Sequence, residues 1–249
     1  WTNPADIIFG TALSATQLNA TIAGVTGGSD PGALTYLPAL GAVISGGTKT
    51  LRVDAAETEN YNAAFKEVSI VVSKADQTIN WTNPLNIIYG TPLGATQLNA
   101  TVTAAGGGTT GALTYSPGLN AQLNAGTQTL RVDAAATENY NAAFKLVTIT
   151  VDKAALVVKA NDQFVYYGSS LPVFTYTYTG FKYNDQSTIT KTPTYTFDRI
   201  YNGILGDYKI IPANLVFGKS ANYNVSYANG TLYVMAKNLT SNITIKSIC

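Results

Sequence analysis

The sequence predicts an all-β protein made of three tandem immunoglobulin-like antiparallel β-sandwich domains in an extended rod. Three observations lead to this prediction. The chain repeats itself with a period of about 80 residues, and its apolar residues alternate in short runs between Gly, Pro, Asn and Asp. No window shows an apolar stripe at helical spacing. Several short strands at such spacing are typical of an antiparallel sandwich.

The first two repeats are near-copies of each other. Trp1–Pro4 recurs as Trp81–Pro84, and residues 15–21 recur unchanged as residues 95–101. The copies differ in length by one residue, which is lost in the Gly-rich stretch between residues 24 and 33. An exposed loop tolerates such a change, whereas a paired strand does not. This stretch is therefore predicted to be a loop.

The last third of the chain is predicted to be a diverged third copy, because it keeps two anchors in the same order. The first anchor is an aromatic-Gly-x-x-Leu motif, and the second is an Asn-Tyr-Asn motif further along the repeat. The motifs lie at Phe9–Leu13, Tyr89–Leu93 and Tyr167–Leu171, and at Asn60–Asn62, Asn139–Asn141 and Asn222–Asn224. The predicted domains are residues 1–75, 76–154 and 155–236, with residues 237–249 as a tail or the start of a next module.

The linkers between the repeats are short. Residues 72–78 run from one strand to the next with no Gly or Pro, and such connections favour an extended rod over a flexible string. In the tail, Ile243, Ile245 and Ile248 alternate. This pattern indicates a strand that begins a following module or completes the sheet of a neighbour.

Six strands are predicted in the first repeat, near Ile7–Phe9, Gln17–Val25, Leu34–Leu37, Gly47–Asp54, Tyr61–Phe65 and Val68–Ser73. The last two differ in phase, because apolar residues fall on odd positions from Tyr61 to Phe65 and on even positions from Val68 to Val72. A bulge or tight turn is therefore predicted between Phe65 and Val68.

Charge and hydropathy exclude two classes of partner. Lys and Arg total 15, Asp and Glu total 14, and no basic run occurs, so the electrostatic footprint of a nucleic-acid or anionic-membrane protein is missing. The apolar stretch Ile210–Phe217 is interrupted by Pro212 and Asn214 and is much shorter than the ~20 residues of a spanning helix. We expect no nucleic-acid partner and no membrane insertion.

The beginning and end of the sequence carry two further expectations. The chain starts at Trp1 without a signal peptide, as expected for a segment of a longer secreted precursor. Its one cysteine, Cys249, excludes an intramolecular disulfide. The domains are expected to depend on their apolar cores alone.

Catalytic chemistry has little support in the sequence. The chain contains no histidine, which excludes Ser-His-Asp and Cys-His systems and removes the commonest transition-metal ligand. Asp54, Glu57 and Glu59 lie close together in the sequence, but the second copy has Ala136 in place of Glu57. We therefore predict that the protein is not an enzyme and has no catalytic residue and no cofactor.

Calcium is the candidate metal, with Asp54, Glu59, Asp133 and Glu138 as candidate ligands. These carboxylates are oxygen donors near a sharp bend, although the Asp-x-Asp-x-Asp-Gly spacing of an EF-hand loop is absent. The alternative is that each acidic group pairs with the arginine on its own strand, Arg52 or Arg131.

The third repeat is rich in aromatic residues. A possible ligand face consists of Tyr176, Tyr178, Tyr195, Phe197 and Tyr201. On strands, Tyr176 and Tyr178 share one face, as do Tyr195 and Phe197, so that a flat strip for sugars or a partner could form. The alternative is that these side chains fill the core.

Other aromatic residues have structural interpretations. Tyr61, Tyr140 and Tyr223 resemble a tyrosine corner, with the ring packed and the hydroxyl bonded to backbone. Trp1 and Trp81 occupy corresponding places near the repeat boundaries and are predicted to cover the seam between sandwiches.

These motifs resemble the MBG and YGX-type repeats of large bacterial cell-surface adhesins, especially those of Bacteroidetes. In the second repeat the resemblance lies in Trp81–Thr91, Gln97–Thr101 and Asn139–Asn141. In the third repeat it lies in Tyr167–Pro172 and Thr175–Phe181. It implies an immunoglobulin-like surface stalk or adhesive array without enzymatic activity.

The leading hypothesis is therefore a non-catalytic stalk or adhesive segment of a large secreted bacterial surface protein, outside the cell. Its partners would be adjacent repeats and, further, environmental glycans, host proteins or copies of itself. Two alternatives stay open. One is a protomer of a self-assembling extracellular filament, and the other is a carbohydrate-binding module of a secreted enzyme.

Overall fold

The computed structural model describes residues 1–237. Within this range the regular structure consists of β-strands and two short 3-10 helices, Asp185–Thr188 and Ser220–Asn222, so the predicted all-β class is confirmed. No helix among these residues is long and apolar enough to cross a membrane. The predicted tail strand with Ile243, Ile245 and Ile248, and Cys249 itself, lie outside the described residues.

The first repeat contains one four-stranded sheet. Its strands are β1 (Ile7–Ile8), β2 (Leu34–Leu37), β3 (Gly47–Ala55) and β4 (Ala64–Ser73). They are hydrogen-bonded in the order β1-β4-β3-β2. Along β4, Val68, Ile70 and Val72 are buried while the residues between them are exposed, because successive side chains of a strand point to opposite faces.

The second repeat has the same strand order and one extra pair. Its strands are β5 (Gln77–Asn80), β6 (Ile87–Ile88), β7 (Thr101–Ala104), β8 (Leu113–Ser116), β9 (Gly126–Ala134) and β10 (Ala143–Asp152). The order β6-β10-β9-β8 matches that of the first repeat. Strand β5 pairs antiparallel with β7.

The third repeat carries three sheets. Its strands are β11 (Ala154–Ala160), β12 (Gln163–Tyr166), β13 (Tyr176–Thr179), β14 (Ile189–Lys191), β15 (Thr194–Phe197), β16 (Gly206–Ala213), β17 (Val216–Phe217), β18 (Tyr223–Ala228) and β19 (Gly230–Met235). The sheets have the orders β13-β11-β18, β12-β19-β16-β15 and β14-β17. As in the other repeats, one edge of the four-stranded sheet is a short strand, β12, which lies beside the last strand of the repeat, β19.

The sheets are mixed, which the purely antiparallel prediction did not include. Strands β1, β6 and β12 each lie parallel to the last strand of their repeat, and β11 lies parallel to β18. Parallel neighbours need a long crossover connection. Most of a repeat separates each of these strands from its partner, and this length of chain provides the crossover.

By their internal contacts, the residues form two compact units. The first comprises residues 1–84, 93–121 and 129–149, and the second comprises residues 85–92, 122–128 and those from Thr150 onward. A core cluster of the first unit includes Ile7, Phe9, Leu13, Leu51, Ile70 and Tyr140. A core cluster of the second includes Val165, Tyr208, Ile210, Leu232 and Val234. Apolar side chains therefore fill both interiors.

The predicted bulge between Phe65 and Val68 is wrong. Strand β4 pairs with β3 without a slip, from Gly47 opposite Val72 to Ala55 opposite Ala64. Phe65 instead stays on the outer face, where 63% of it is exposed and the guanidinium carbon of Arg52 lies 4.1 Å from its ring centre. This cation–π contact allows an aromatic residue on the solvent side, so the phase conflict needs no irregularity.

The predicted strand Gln17–Val25 is also wrong, because this segment forms turns and extended chain without a ladder. The equivalent segment of the second repeat does form a strand, β7, since β5 supplies its partner. Among the described residues no segment pairs with residues 21–24. An extended chain without a partner has no inter-strand hydrogen bonds and is not a strand.

The core of the first repeat can be tested with two leucines. Leu51 is fully buried and Leu40 is 69% exposed. We expect Leu51→Ala to lower the free energy of unfolding by about 2–5 kcal/mol, because it leaves a cavity, and Leu40→Ala to change it by less than about 0.5 kcal/mol. Urea denaturation followed by circular dichroism measures both. Equal losses for the two variants would contradict the packing described.

Candidate functional site

The tyrosine of each Asn-Tyr-Asn motif fixes a loop of its own repeat. The hydroxyl of the fully buried Tyr140 donates to the carbonyl of Ala105 (2.6 Å) and accepts from the amide of Gly108 (3.1 Å). The hydroxyl of Tyr223 accepts from the amide of Lys182 (2.8 Å). That of the half-buried Tyr61 accepts from Val25 (3.0 Å). The tyrosine-corner prediction is confirmed.

In the second and third repeats, the ring of this tyrosine also packs against an aromatic side chain of the preceding repeat. At the first junction, which lies within the first unit, the ring of Phe9 meets that of Tyr140 edge to face, with centres 5.4 Å apart. Gly10 follows with a φ of +95°, and a Cβ there would lie 3.2 Å from the Cα of Gly106. A glycine therefore follows the aromatic residue because the backbone is left-handed and the next repeat lies close.

Polar groups complete the first junction. The side-chain oxygen of Asn139 accepts a hydrogen bond from the amide of Gly46 (2.8 Å). Ala75, in the linker, donates to the carbonyl of Asn139 and accepts from the amide of Asn141, both at 2.9 Å. Lys49 and Glu138 form an ion pair at 3.1 Å nearby. The linker is thus held to the second repeat by backbone hydrogen bonds.

The second junction, within the second unit, is built in the same way. Tyr89 meets Tyr223 edge to face at 5.4 Å, and the amide of Ala125 donates to the side-chain oxygen of Asn222 at 2.8 Å. Ala154 lies opposite Tyr223 in a parallel pairing, as Ala75 lies opposite Tyr140. The two junctions share one geometry.

A buried carboxylate distinguishes the second junction. One oxygen of Asp185 accepts hydrogen bonds from the hydroxyls of Tyr89 (2.8 Å) and Tyr223 (2.7 Å). Burial, followed by the bond to Asp185, raises the pKa of Tyr89 to about 12. Burial also raises the pKa of Tyr223. Both phenols therefore remain protonated donors to the carboxylate at neutral pH.

The prediction that Trp1 and Trp81 cover the seams is wrong. The indole nitrogen of Trp1 donates to the carbonyl of Gln17, and that of Trp81 donates to the carbonyl of Gln97, both at 3.1 Å. Each indole also packs edge to face on a tyrosine of its own repeat. Because each indole bonds to a carbonyl only 16 residues further along the chain, both tryptophans stay within their own repeats. The smaller rings of Phe9 and Tyr89 lie at the junctions instead.

In the third repeat, the aromatic residue of the anchor motif has a different environment. Tyr167 corresponds to Phe9 and Tyr89, which are buried, but it is 57% exposed. Its backbone amide still donates to the carbonyl of Met235 (2.9 Å), as that of Phe9 donates to Ser73 (2.8 Å). The motif is therefore folded in the same manner here, with its ring open to solvent.

The five residues of the predicted ligand face do not form one flat strip. Tyr176 and Tyr178 lie on β13, whereas Tyr195 and Phe197 lie on β15 of another sheet. Tyr176, Phe197 and Tyr201 pack against the core cluster of the second unit. Tyr195 is 38% exposed. Most of these rings fill the core because inward-facing aromatic residues of both sheets meet there.

An open groove of about 420 Å³ nevertheless lies beside two members of this face. It is lined by Pro172, Val173, Phe174, Tyr176, Thr192, Pro193, Thr194 and Tyr195. The ring centres of Phe174 and Tyr195 are 4.2 Å apart. Apolar rings with threonine hydroxyls at the margin are suited to an uncharged ligand.

The calcium candidates have protein partners. Arg52 Nε donates to Asp54 at 2.9 Å and Arg131 Nε donates to Asp133 at 2.8 Å, and these hydrogen bonds lower the pKa of both carboxyl groups. Glu138 pairs with Lys49, and Glu59 is exposed. Within residues 1–237 no three His, Cys, Asp or Glu side chains are grouped for a metal. The arginine alternative is confirmed for Asp54 and Asp133, and calcium binding stays a prediction.

The comparison with protein families gives one match. Residues 156–233 match the family model of the MBG domain (YGX type). The predicted resemblance to MBG-type repeats is confirmed over this segment. The match supports a structural, adhesion-type extracellular domain. No curated protein matches the chain.

Two solved structures show a distant likeness. The crystal structure of mouse protocadherin-24 EC1-3 is 12% identical, with 79% of this chain and 83% of that chain covered and a TM-score of 0.20. The zebrafish RET cadherin-like domains 1 to 4 are 8% identical, with 79% and 60% covered and a TM-score of 0.19.

Sequence reasoning did not identify Asp185 as a junction residue. One signal was available, because Tyr89 replaces Phe9 at an anchor whose ring becomes buried, and a buried hydroxyl needs a partner. Only the fold reveals that this partner lies 96 residues further along the chain.

The hydroxyl of Tyr89 gives a prediction for alkaline pH. Because its pKa is raised to about 12, its contribution to stability is complete below the unfolded value of about 10 and is lost as pH rises through 12. We expect Tyr89→Phe to cost about 1–3 kcal/mol at pH 7 and to weaken the loss of stability between pH 10 and 12. Urea denaturation at each pH measures this, with the exposed Tyr166→Phe as control. An unchanged alkaline slope would refute the role of Tyr89.

Proposed function

We propose that this chain is a non-catalytic stalk segment of a secreted bacterial surface protein, in which coupled repeats hold an adhesive module away from the cell. The observation that carries the proposal is the shared geometry of the two junctions. Each combines an edge-to-face aromatic pair with an asparagine side chain that accepts a hydrogen bond from a backbone amide of the preceding repeat. Such coupling serves reach, which a flexible linker does not provide.

The length of the linkers supports the same role. Strand β4 ends at Ser73 and β5 begins at Gln77, and β10 ends at Asp152 while β11 begins at Ala154. At both places the linker alanine is paired with the following corner tyrosine.

The chemistry of the side chains supports a non-catalytic role. The sequence contains no histidine, and the paired acidic residues Asp54 and Asp133 are engaged by arginines. The buried carboxylate of Asp185 is engaged by two tyrosine hydroxyls at a junction. Adjacent repeats are the partners that these contacts support, and we propose an extracellular location on the family match over residues 156–233.

The junction asparagine provides the test of coupling. Asn222 is buried, and Asn224 in the same motif is exposed. We expect Asn222→Ala to cost about 1–3 kcal/mol, because the amide of Ala125 loses its acceptor, and to accelerate hydrogen exchange of that amide. Asn224→Ala should leave both unchanged. Unaltered exchange in Asn222→Ala would contradict the coupling.

The stalk role itself is tested by the distance between the two ends of the chain. A fluorophore pair at the two ends of the chain reports the distance distribution by single-molecule energy transfer. We expect a narrow distribution for the natural chain and for Asn224→Ala, and a broader one for the double variant Asn139→Ala with Asn222→Ala. A broad distribution in the natural chain would overturn the stalk proposal.

Ligand binding by the third repeat is a second candidate function, favoured by the groove beside Phe174 and Tyr195. We propose neutral glycans as the ligand class, because aromatic rings with bordering hydroxyl groups suit their apolar faces and hydroxyls. On a glycan array, Tyr195→Ala should reduce any signal by at least about tenfold, as expected for the loss of about 1.4 kcal/mol. Tyr166→Ala, which is exposed elsewhere on the repeat, is the control. No signal from the natural chain would exclude this candidate.

A further inference from the structure

The outer edge of strand β8 in the second repeat is unpaired. Strand β8 ends its sheet beside β9, and no other described strand pairs with its far side. The amide of Ala135 donates to the carbonyl of Ala112 (3.0 Å), and bonded pairs alternate with non-bonded pairs along an antiparallel ladder. The next bonded pair falls at Thr114, so the main-chain groups of Leu113 and Tyr115 point away from β9.

An apolar groove of about 420 Å³ lies beside this edge. It is lined by Ala95, Leu98, Leu113, Thr114, Tyr115, Gly118 and Leu119. Leu119 is 64% exposed, and Leu113 and Tyr115 are half-buried. A strand added to β8 would bring alternate side chains next to the groove, because opposite residues of paired strands share a face. Free main-chain groups and apolar surface therefore occur at the same place.

Charged side chains do not protect this edge. From Gln77 to Leu130 the sequence contains no Asp, Glu, Lys or Arg, although charges are a common protection of edge strands against pairing. On the neighbouring strand β9, Arg131 and Asp133 form an ion pair with each other. In the third repeat the edge strand β15 is followed directly by Asp198 and Arg199. The edge of β8 is therefore the one suited to an uncharged strand.

The sequence of β8 is complementary to itself. Two antiparallel copies that bond through their outward main-chain groups place Leu113 of one copy opposite Tyr115 of the other, on the face of the groove. Thr114 then lies opposite Thr114, and threonine pairs hydrogen-bond across strands. Pro117 follows the strand and cannot donate to a ladder. The added ladder is therefore short, which favours a closed pair over an extended sheet.

We propose that β8 pairs with β8 of a second copy of this chain, in a dimer whose two-fold axis passes Thr114. Such an interface uses the same patch of both subunits, as most dimers do. The two grooves then lie on one face of the joined sheet, and each copy covers apolar surface of the other. This goes beyond the stalk role, because it joins two chains side by side through the second repeat.

Sedimentation equilibrium of the full chain measures the association as the concentration is raised to about 1 mM. A reducing agent excludes dimers linked through Cys249, the single cysteine. We expect a reversible equilibrium between monomer and dimer. As the dimer forms, hydrogen exchange should slow for the amides of Leu113 and Tyr115 and should not change for those of Thr114 and Ser116, which already face β9. This alternation is specific to an added strand.

A charge swap at the two-fold axis tests the register. Thr114 is exposed, and Thr114→Lys or Thr114→Glu places like charges opposite each other, so each variant alone should dimerise about fivefold more weakly or worse. An equimolar mixture should restore the dimer, since lysine then faces glutamate. Thr35→Lys, at the same strand position of the first repeat, should leave the association unchanged. All variants should keep the circular dichroism of the natural chain.

The groove is tested with two exposed leucines. Leu119→Asp puts a charge where apolar surfaces meet in the dimer, and it should weaken association about fivefold or more. Leu40 is the equivalent residue of the first repeat and is 69% exposed. Leu40→Asp should leave the dimer unchanged.

Three results would overturn the proposal. They are a chain that stays monomeric at about 1 mM, a dimer that Thr114→Lys does not weaken, and a mixture of the two charge variants that stays monomeric. A monomeric natural chain would leave the edge to an extended segment of another protein. None of these results bears on the end-to-end distances of single molecules that test the stalk.

Discussion

The structure depends on one contact, in which the aromatic side chain of one repeat meets the corner tyrosine of the next. The hydroxyl of Tyr140 is satisfied within its own repeat by backbone groups, so its ring can be buried without the cost of an unpaired polar atom. The ring of Tyr140 then packs edge to face against that of Phe9. Tyr223 does the same for Tyr89. One residue type thus closes a repeat and joins it to its neighbour.

Much of this arrangement was predictable from the sequence, because it rests on local patterns. The recurring aromatic-Gly-x-x-Leu and Asn-Tyr-Asn motifs predicted the repeats, and the corner role followed from the position of Tyr140 just before the predicted penultimate strand of its repeat. The pairing of Arg52 with Asp54 followed from their placement two residues apart on one strand, where alternate side chains share a face. In each case the partner lies nearby in sequence or the motif itself defines the role.

The parts that sequence did not give depend on distant partners. Alternation indicated a strand over residues 17–25, but a strand also needs a neighbour, which β5 supplies to the equivalent segment of the second repeat. Alternation likewise could not show that Phe65 remains outside under Arg52. The tryptophans were assigned to the seams from their position along the chain, whereas the reach of each side chain in space decides which ring arrives there.

The difference between the two junctions has a consequence for the order of modules. Asp185 has two phenolic donors, one of them from the preceding repeat. If a Phe9-type repeat were shuffled in front of the third repeat, this carboxylate would keep only Tyr223, in a place closed to water. A phenylalanine at this anchor therefore suits a junction without a buried carboxylate, whereas the junction with the third repeat needs the tyrosine hydroxyl. The hydroxyl of Tyr89 and the carboxylate of Asp185 thus specify which of the two similar repeats can precede the third.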